Sequence, residues 1–348
     1  MTRFYARTVA LTFSLALVLA SFSSTALAQY KLLNLVSNQT GKAKNTDPLL
    51  VNGWGLAYGP GGYFWVSDEG TGWSTLYDGK GTPQSLQVVI PSFDSPYGGS
   101  PSGIVYNGSQ QFNVEGWPAV FMFATLDGTI SGWSPISNPT SAIIAVNNWS
   151  QGASYTGLAI TNYASSNYIF AADANNNKVD IYDGNFNFVS SFTDTTLPSG
   201  FAPFGIQDIA GQVYVAFAAT SGGPGGFIDI FTEAGVFVKR LAQGRPLNQP
   251  WGFAVAPSHF GAFSGDLLIS NNLNNTSTIN AFNLSTGKFE GTLSNSAGFP
   301  IEIDQLWGIE FGGGSSANGQ KNQLFFAAGP NNNVNGLFGV IQLDSAAR

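Results

Sequence analysis

Short apolar runs rich in aromatic and β-branched side chains, set between glycine, asparagine and serine, recur along almost the whole chain. Six of them open with one signature: Trp54-Gly55-Leu56-Ala57, Ser102-Gly103-Ile104-Val105, Thr156-Gly157-Leu158-Ala159, Phe204-Gly205-Ile206-Gln207, Trp251-Gly252-Phe253-Ala254 and Trp307-Gly308-Ile309-Glu310. The marker glycines are 48, 54, 48, 47 and 56 residues apart. That period fits one four-stranded propeller blade per repeat and is too long for most helical solenoids. Each signature reads as the innermost strand of a blade, where glycine lets backbones crowd around a narrow axis.

A second, near-continuous apolar run follows every marker, as in Tyr63-Phe64-Trp65-Val66, Tyr168-Ile169-Phe170-Ala171 and Leu324-Phe325-Phe326-Ala327. Such runs belong to strands buried on both faces. Third strands are legible at Thr75-Leu76-Tyr77, Val179-Asp180-Ile181-Tyr182 and Ile228-Asp229-Ile230-Phe231, and turns such as Asp183-Gly184-Asn185 lead to more polar fourth strands. The sixth repeat stops after its third strand, Leu337 to Gln342, while an unassigned strand, Tyr30 to Val36, stands at the other end of the chain. The pattern therefore predicts an all-β fold, a six-bladed β-propeller of four-stranded blades closed by the N-terminal strand completing the last blade. Closure of this kind removes open sheet edges.

Residues 1–28 depart from the pattern. Arg3 and Arg7 precede an apolar run from Leu11 to Ala20, and Ala26-Leu27-Ala28 precedes Gln29. This predicts a signal peptide cleaved after Ala28, a run too short for a membrane span, and one propeller domain over 29–348. The expected product is secreted or periplasmic, with no membrane insertion after cleavage. Its cohesion must come from buried area, because the chain contains no cysteine. Losing the two arginines takes the formal charge from −7 to −9. That field would repel phosphate backbones, so nucleic acid is not an expected partner.

Candidate chemistry lies at the strand ends. A position after each second strand is occupied by Asp68, Thr125, Asp173, Ala219, Asn271 and Gly329, which would place a partly polar ring in the loops around one channel mouth. Asp and Asn also bond backbone amides in tight turns, so a turn-forming role competes. Trp54, Phe204, Trp251 and Trp307 precede their marker glycines. Facing the mouth, these rings would stack on a sugar, with Asn52, Gln249, Asp304 and Gln305 supplying hydrogen bonds; packed between blades, they would be core. Surface exposure separates the two. Asp173 to Asp180 superficially resembles a calcium loop but has Lys178 and Gly184 where Gly and Glu are required. A single histidine, His259, and the absence of cysteine exclude multi-histidine and thiolate metal sites. Glu302, Asp304 and Asp47 near Asp68 and Asp173 would suit calcium or magnesium, though no cofactor is firmly implied.

The repeats resemble NHL-type propeller repeats, most clearly where Ile169-Phe170-Ala171-Ala172-Asp173 runs into Asn175-Asn176-Asn177-Lys178-Val179. The segments Asp47 to Ala57, Phe123 to Trp133, Ala202 to Gln207 and Ala328-Gly329-Pro330-Asn331 resemble an uncharacterised family of secreted bacterial propellers, some with PEP-CTERM sorting tails. This resemblance implies a secreted propeller and carries no activity. A more distant likeness to lactonases of the gluconolactonase type implies a divalent metal held at the channel, for which Asp173, Asn271 and Asp304 are chemically suitable. The expected function is a binding or interaction module for a protein or glycan, through one loop-rich face carrying Asn52, Trp54, Asp68, Asp173, Trp251, Asn271, Asp304 and Trp307. The alternatives are a metal-dependent hydrolase or lactonase acting at the channel, and a structural envelope protein without a small-molecule site.

Overall fold

The computed structural model describes residues 30–163 and 166–344, together with Met1. Apart from Met1, the predicted signal segment lies outside the described residues. No described helix is long and apolar enough to cross a membrane.

Six antiparallel sheets form the blades of a propeller. Their innermost strands are Gly53–Ala57, Pro101–Tyr106, Tyr155–Tyr163, Phe201–Ile209, Pro250–Val255 and Leu306–Phe311. Each begins within a few residues of its marker glycine, so the six signatures converge on the axis. Close approach explains the glycines: a Cβ built on Gly308 would lie 2.5 Å from the Trp54 carbonyl oxygen of the next blade, and one on Gly205 would collide with the Trp251 carbonyl. Gly308→Ala is expected to cost about 1–3 kcal/mol through this overpacking. A lower midpoint in chemical denaturation would show it.

The sixth blade closes as the sequence predicts. Tyr30–Ser37 runs antiparallel to Leu337–Leu343, with Leu32 opposite Ile341 and Leu33 opposite Val340. The closing strand also reaches the fifth blade: the Tyr30 hydroxyl donates to the Phe260 carbonyl at 2.7 Å, and the ring lies against Phe260 and Phe263. A short parallel strand, Asn45–Thr46, extends this sheet outward.

Between the blades lie apolar wedges. Leu56, Phe64 and Val66 of the first blade, for example, pack on Phe325, Ala327 and Phe338 of the sixth. Two hairpins interrupt the repeat, Pro91–Ser92 with Ser95–Gly98 and Asn113–Val114 with Trp117–Pro118. These insertions, whose strands are only two to four residues long, carry too little periodicity to stand out in the sequence.

Candidate functional site

One face of the ring carries the links into each innermost strand together with the turns joining second to third strands. The predicted polar ring lies on this side, but as strand ends rather than loop. The register defines it: the residue paired with the position two before the marker glycine is Asp68, Thr125, Asp173 and Asn271 in blades one, two, three and five. In blades four and six it is Phe217 and Ala328, so Ala219 and Gly329 are displaced from the ring by two residues and one.

All four polar members are turned inward. Asp68, Thr125 and Asp173 are 0% exposed and Asn271 only 3%. Asp68 accepts the Thr75 amide at 3.0 Å, and Thr125 Oγ1 accepts that of Thr129 at 3.0 Å. Asp173 Oδ1 accepts the amides of Ser154 and Asn176, and Asn271 accepts the amide of Asn248 while donating to the Pro246 carbonyl. Asp68 and Thr125 thus bond across the turn to the third strand, while Asp173 and Asn271 tie the incoming link to their blades. Asp304 behaves likewise, accepting the amides of Asn275 and Asn331 at 2.7 Å each. Burial, reinforced by the nearby Asp47 charge and opposed by hydrogen bonds from Thr75, pushes the Asp68 carboxyl well above its ordinary range. Among the described residues no three His, Cys, Asp or Glu side chains gather closely enough to hold a metal ion.

The aromatic residues before the markers do converge on the axis, and there they bury one another. Trp54, Trp251 and Trp307 are 5%, 8% and 4% exposed. Trp54 and Trp307 stack with centroids 3.5 Å apart, and Trp251 meets both edge-on at 6.0 and 6.1 Å. Phe204 and Leu126 pack against the three rings. Trp307 Nε1 donates to Asn52 Oδ1 at 3.0 Å and Trp251 Nε1 to the Thr156 carbonyl at 2.9 Å. Asn52, Gln249 and Gln305 adopt left-handed backbone, φ 49°, 51° and 51°, in the turns that launch their strands. Their amides are engaged with Glu69, with the Ala219 and Gly223 carbonyls, and with Asn274 respectively. The aromatic side chains expected to stack on a ligand thus pack on one another across one end of the channel. His259 lies on an exposed turn, its Nδ1 2.9 Å from the Ser258 hydroxyl.

On the same face the structure exposes an aromatic pair that no repeat position marks. Trp149, 51% exposed, stacks on Phe93 with centroids 4.1 Å apart and planes 2° from parallel. Phe93 comes from the hairpin after the first blade and Trp149 from the short 3-10 turn Trp149–Gln151 after the second. Asn147 joins them, donating to the Phe93 carbonyl and accepting the Trp149 amide. The exposed amides Asn175 and Asn176 lie alongside, bonded to the carbonyls of Gly152 and Gln151. Asn175 also lines a neighbouring depression of about 500 Å³, with Ser154, Phe204, Thr220 and Gln249.

Beyond the tryptophans the central channel encloses about 380 Å³, and its wall includes Trp251 and, further along the inner strands, Tyr58, Tyr106, Gln207, Asp208 and Glu310. Glu310 occupies the position that holds Ala57, Val105, Ala159, Gln207 and Ala254 in the other blades. A carboxyl in an otherwise uncharged column was the signal that sequence reasoning missed. The side chain is partly exposed to the channel yet walled by protein, and desolvation raises its pKa to about 8 against the pull of a Phe311 backbone hydrogen bond. Burial, with Glu310 adding to it, lifts the neighbouring Tyr58 hydroxyl to about 12.

Fold and site together define a six-bladed β-propeller with an aromatic seal across one end of its axis. The chain belongs to the same family as uncharacterized protein R648 of Acanthamoeba polyphaga mimivirus, with which it is 30% identical over 342 residues, 92% of this chain and 82% of that protein. The relative is viral, whereas the sequence resemblance implied a bacterial family. No family model matches the chain. Among solved structures, a gluconolactonase from Xanthomonas campestris superposes with a TM-score of 0.58 at 14% identity, covering 92% of this chain and 93% of that one. Virginiamycin B lyase from Staphylococcus aureus gives 0.54 at 13% identity, covering 91% and 99%. At this identity the likeness is one of fold.

Proposed function

We propose that the protein is an exported, non-catalytic glycan-binding propeller whose platform is Trp149 backed by Phe93. Export rests on the character of residues 1–28 and would bring the platform among envelope or extracellular polysaccharides. The carrying observation is the half-exposed indole with one face covered and the amide side chains of Asn147, Asn175 and Asn176 around it. A pyranose presents an apolar face to an aromatic ring and hydroxyls to amides at its edge, and this surface supplies both. The adjacent depression with Ser154, Thr220 and Asn175 gives room for a second sugar. The hydrolase or lactonase reading has the fold likeness alone behind it, since fold does not carry chemistry.

The test is a glycan array followed by titration of the best oligosaccharide. Trp149→Ala is expected to weaken binding about tenfold or more, the scale of one lost aromatic contact, with an unchanged melting temperature. No glycan bound, or equal affinity in the variant, would overturn the assignment; capture of a protein through the same residues would replace it with a protein-docking role.

A further inference from the structure

We propose that the central channel is a second binding site, independent of the glycan platform, which takes a small organic ammonium ion with Glu310 as its counter-ion. The cavity, about 380 Å³, falls within the range of small-molecule sites. Its wall includes Trp251 of the tryptophan cluster. Leu56, Ile104, Leu158 and Ile206, each following its marker glycine, supply apolar wall around it. The residues lining it include the carboxyls of Glu310 and Asp208, the phenols of Tyr58 and Tyr106 and the amide of Gln207, with no lysine, arginine or histidine.

A narrow cavity with acidic groups on low-dielectric walls concentrates cations. The kind of cation follows from the remaining groups. Calcium takes six to eight oxygens, and no trio of acidic or imidazole ligands is present among the described residues. An alkylammonium needs one carboxylate, gains from tyrosine ring faces, and has an apolar stem that the aliphatic wall accepts.

The titration of Glu310 gives the site its signature. With its pKa near 8, the carboxyl is mostly protonated at neutral pH when no cation is beside it. A bound ammonium favours the carboxylate, so each ligand bound at pH 7 displaces close to one proton to solvent. Tyr58, Tyr106 and Asp208 are the other titratable groups facing the channel. Tyr58 stays neutral in this range, and Asp208, itself raised by burial and by Glu233, sits beside Thr161 and the Gly211 amide.

The experiment titrates the exported chain with n-butylammonium chloride by calorimetry at pH 6, 7 and 8.5, in buffers of different ionisation enthalpy and against sodium chloride at equal ionic strength. Saturable one-to-one binding is expected, with release of nearly one proton at pH 7 and tighter binding at pH 8.5. Glu310→Gln is expected to weaken binding at pH 8.5 by about thirtyfold or more, the scale of removing one partner of an enclosed charge pair. Trp149→Ala should bind the amine as the wild type does. Absence of saturable binding at every pH, equal affinity in Glu310→Gln with its fold confirmed by circular dichroism, or equal competition by sodium would overturn the proposal.

Discussion

Trp307→Ala is expected to lower stability by about 3–5 kcal/mol, the scale of truncating a fully packed large aromatic side chain. The ring is 4% exposed and stacks on Trp54 at 3.5 Å, with Trp251 and Phe204 against its edges. These partners come from blades one, five and four, so the vacated space lies where four blades meet. Asn52 Oδ1 also loses the indole donor it holds at 3.0 Å, while its amide stays committed to Glu69. A buried acceptor left without a donor adds about 1–3 kcal/mol of desolvation penalty unless water enters. Chemical denaturation followed by tryptophan fluorescence measures the loss, and Trp307→Phe should recover part of it. Glycan affinity should be untouched. Wild-type stability combined with lost glycan binding would instead make the axial cluster the ligand platform.

The second large effect is a pH-dependent gain in stability from Glu310→Gln. The folded-state pKa of Glu310, about 8, lies above its ordinary value of 4.5, so ionisation opposes folding. Below about pH 4.5 the group is neutral in both states and exacts no penalty. As pH rises from about 4.5 toward 8 the unfolded chain ionises first, and stability falls continuously; above about 8 the deficit is constant. At about 1.4 kcal/mol for each tenfold change in the ionisation constant, the deficit reaches a ceiling of about 5 kcal/mol, which channel water reduces. Glutamine keeps the shape and removes the charge. The variant is expected to match the wild type at pH 4 and exceed it by about 2–5 kcal/mol at pH 8.5, in matched denaturant melts. A constant difference across pH would show that Glu310 does not titrate as described.

How far the sequence reaches differs between scaffold and site. Blade number, strand order and the pairing of Tyr30–Ser37 with Leu337–Leu343 were legible because each depends on local periodicity repeated at a fixed spacing. The polar column was legible in blades one, two, three and five. It slipped in blade four, where the second strand, Gln212–Ala219, is eight residues long, and by one residue in blade six, because only the hydrogen-bond register distinguishes neighbouring positions on such strands. Glu310 was visible as an acid in an otherwise uncharged column, but its consequence depends on which face of the strand meets the channel.

What the sequence by itself determined is the ring: six signatures, glycines where inner strands touch, and complementary partial blades at the two ends of the repeat array. What only the tertiary structure decided is which side chains face solvent. Trp54, Trp251 and Trp307 precede glycines at equivalent strand starts, and nothing local distinguishes a ring open to ligand from one buried against its counterparts. Closing the circle brings residues more than 250 positions apart into stacking distance, and burial of their apolar area then favours contact with one another over contact with water. Phe93 and Trp149 meet for the opposite reason, since two connections outside the repeat happen to cross on the surface, where no neighbouring blade covers them.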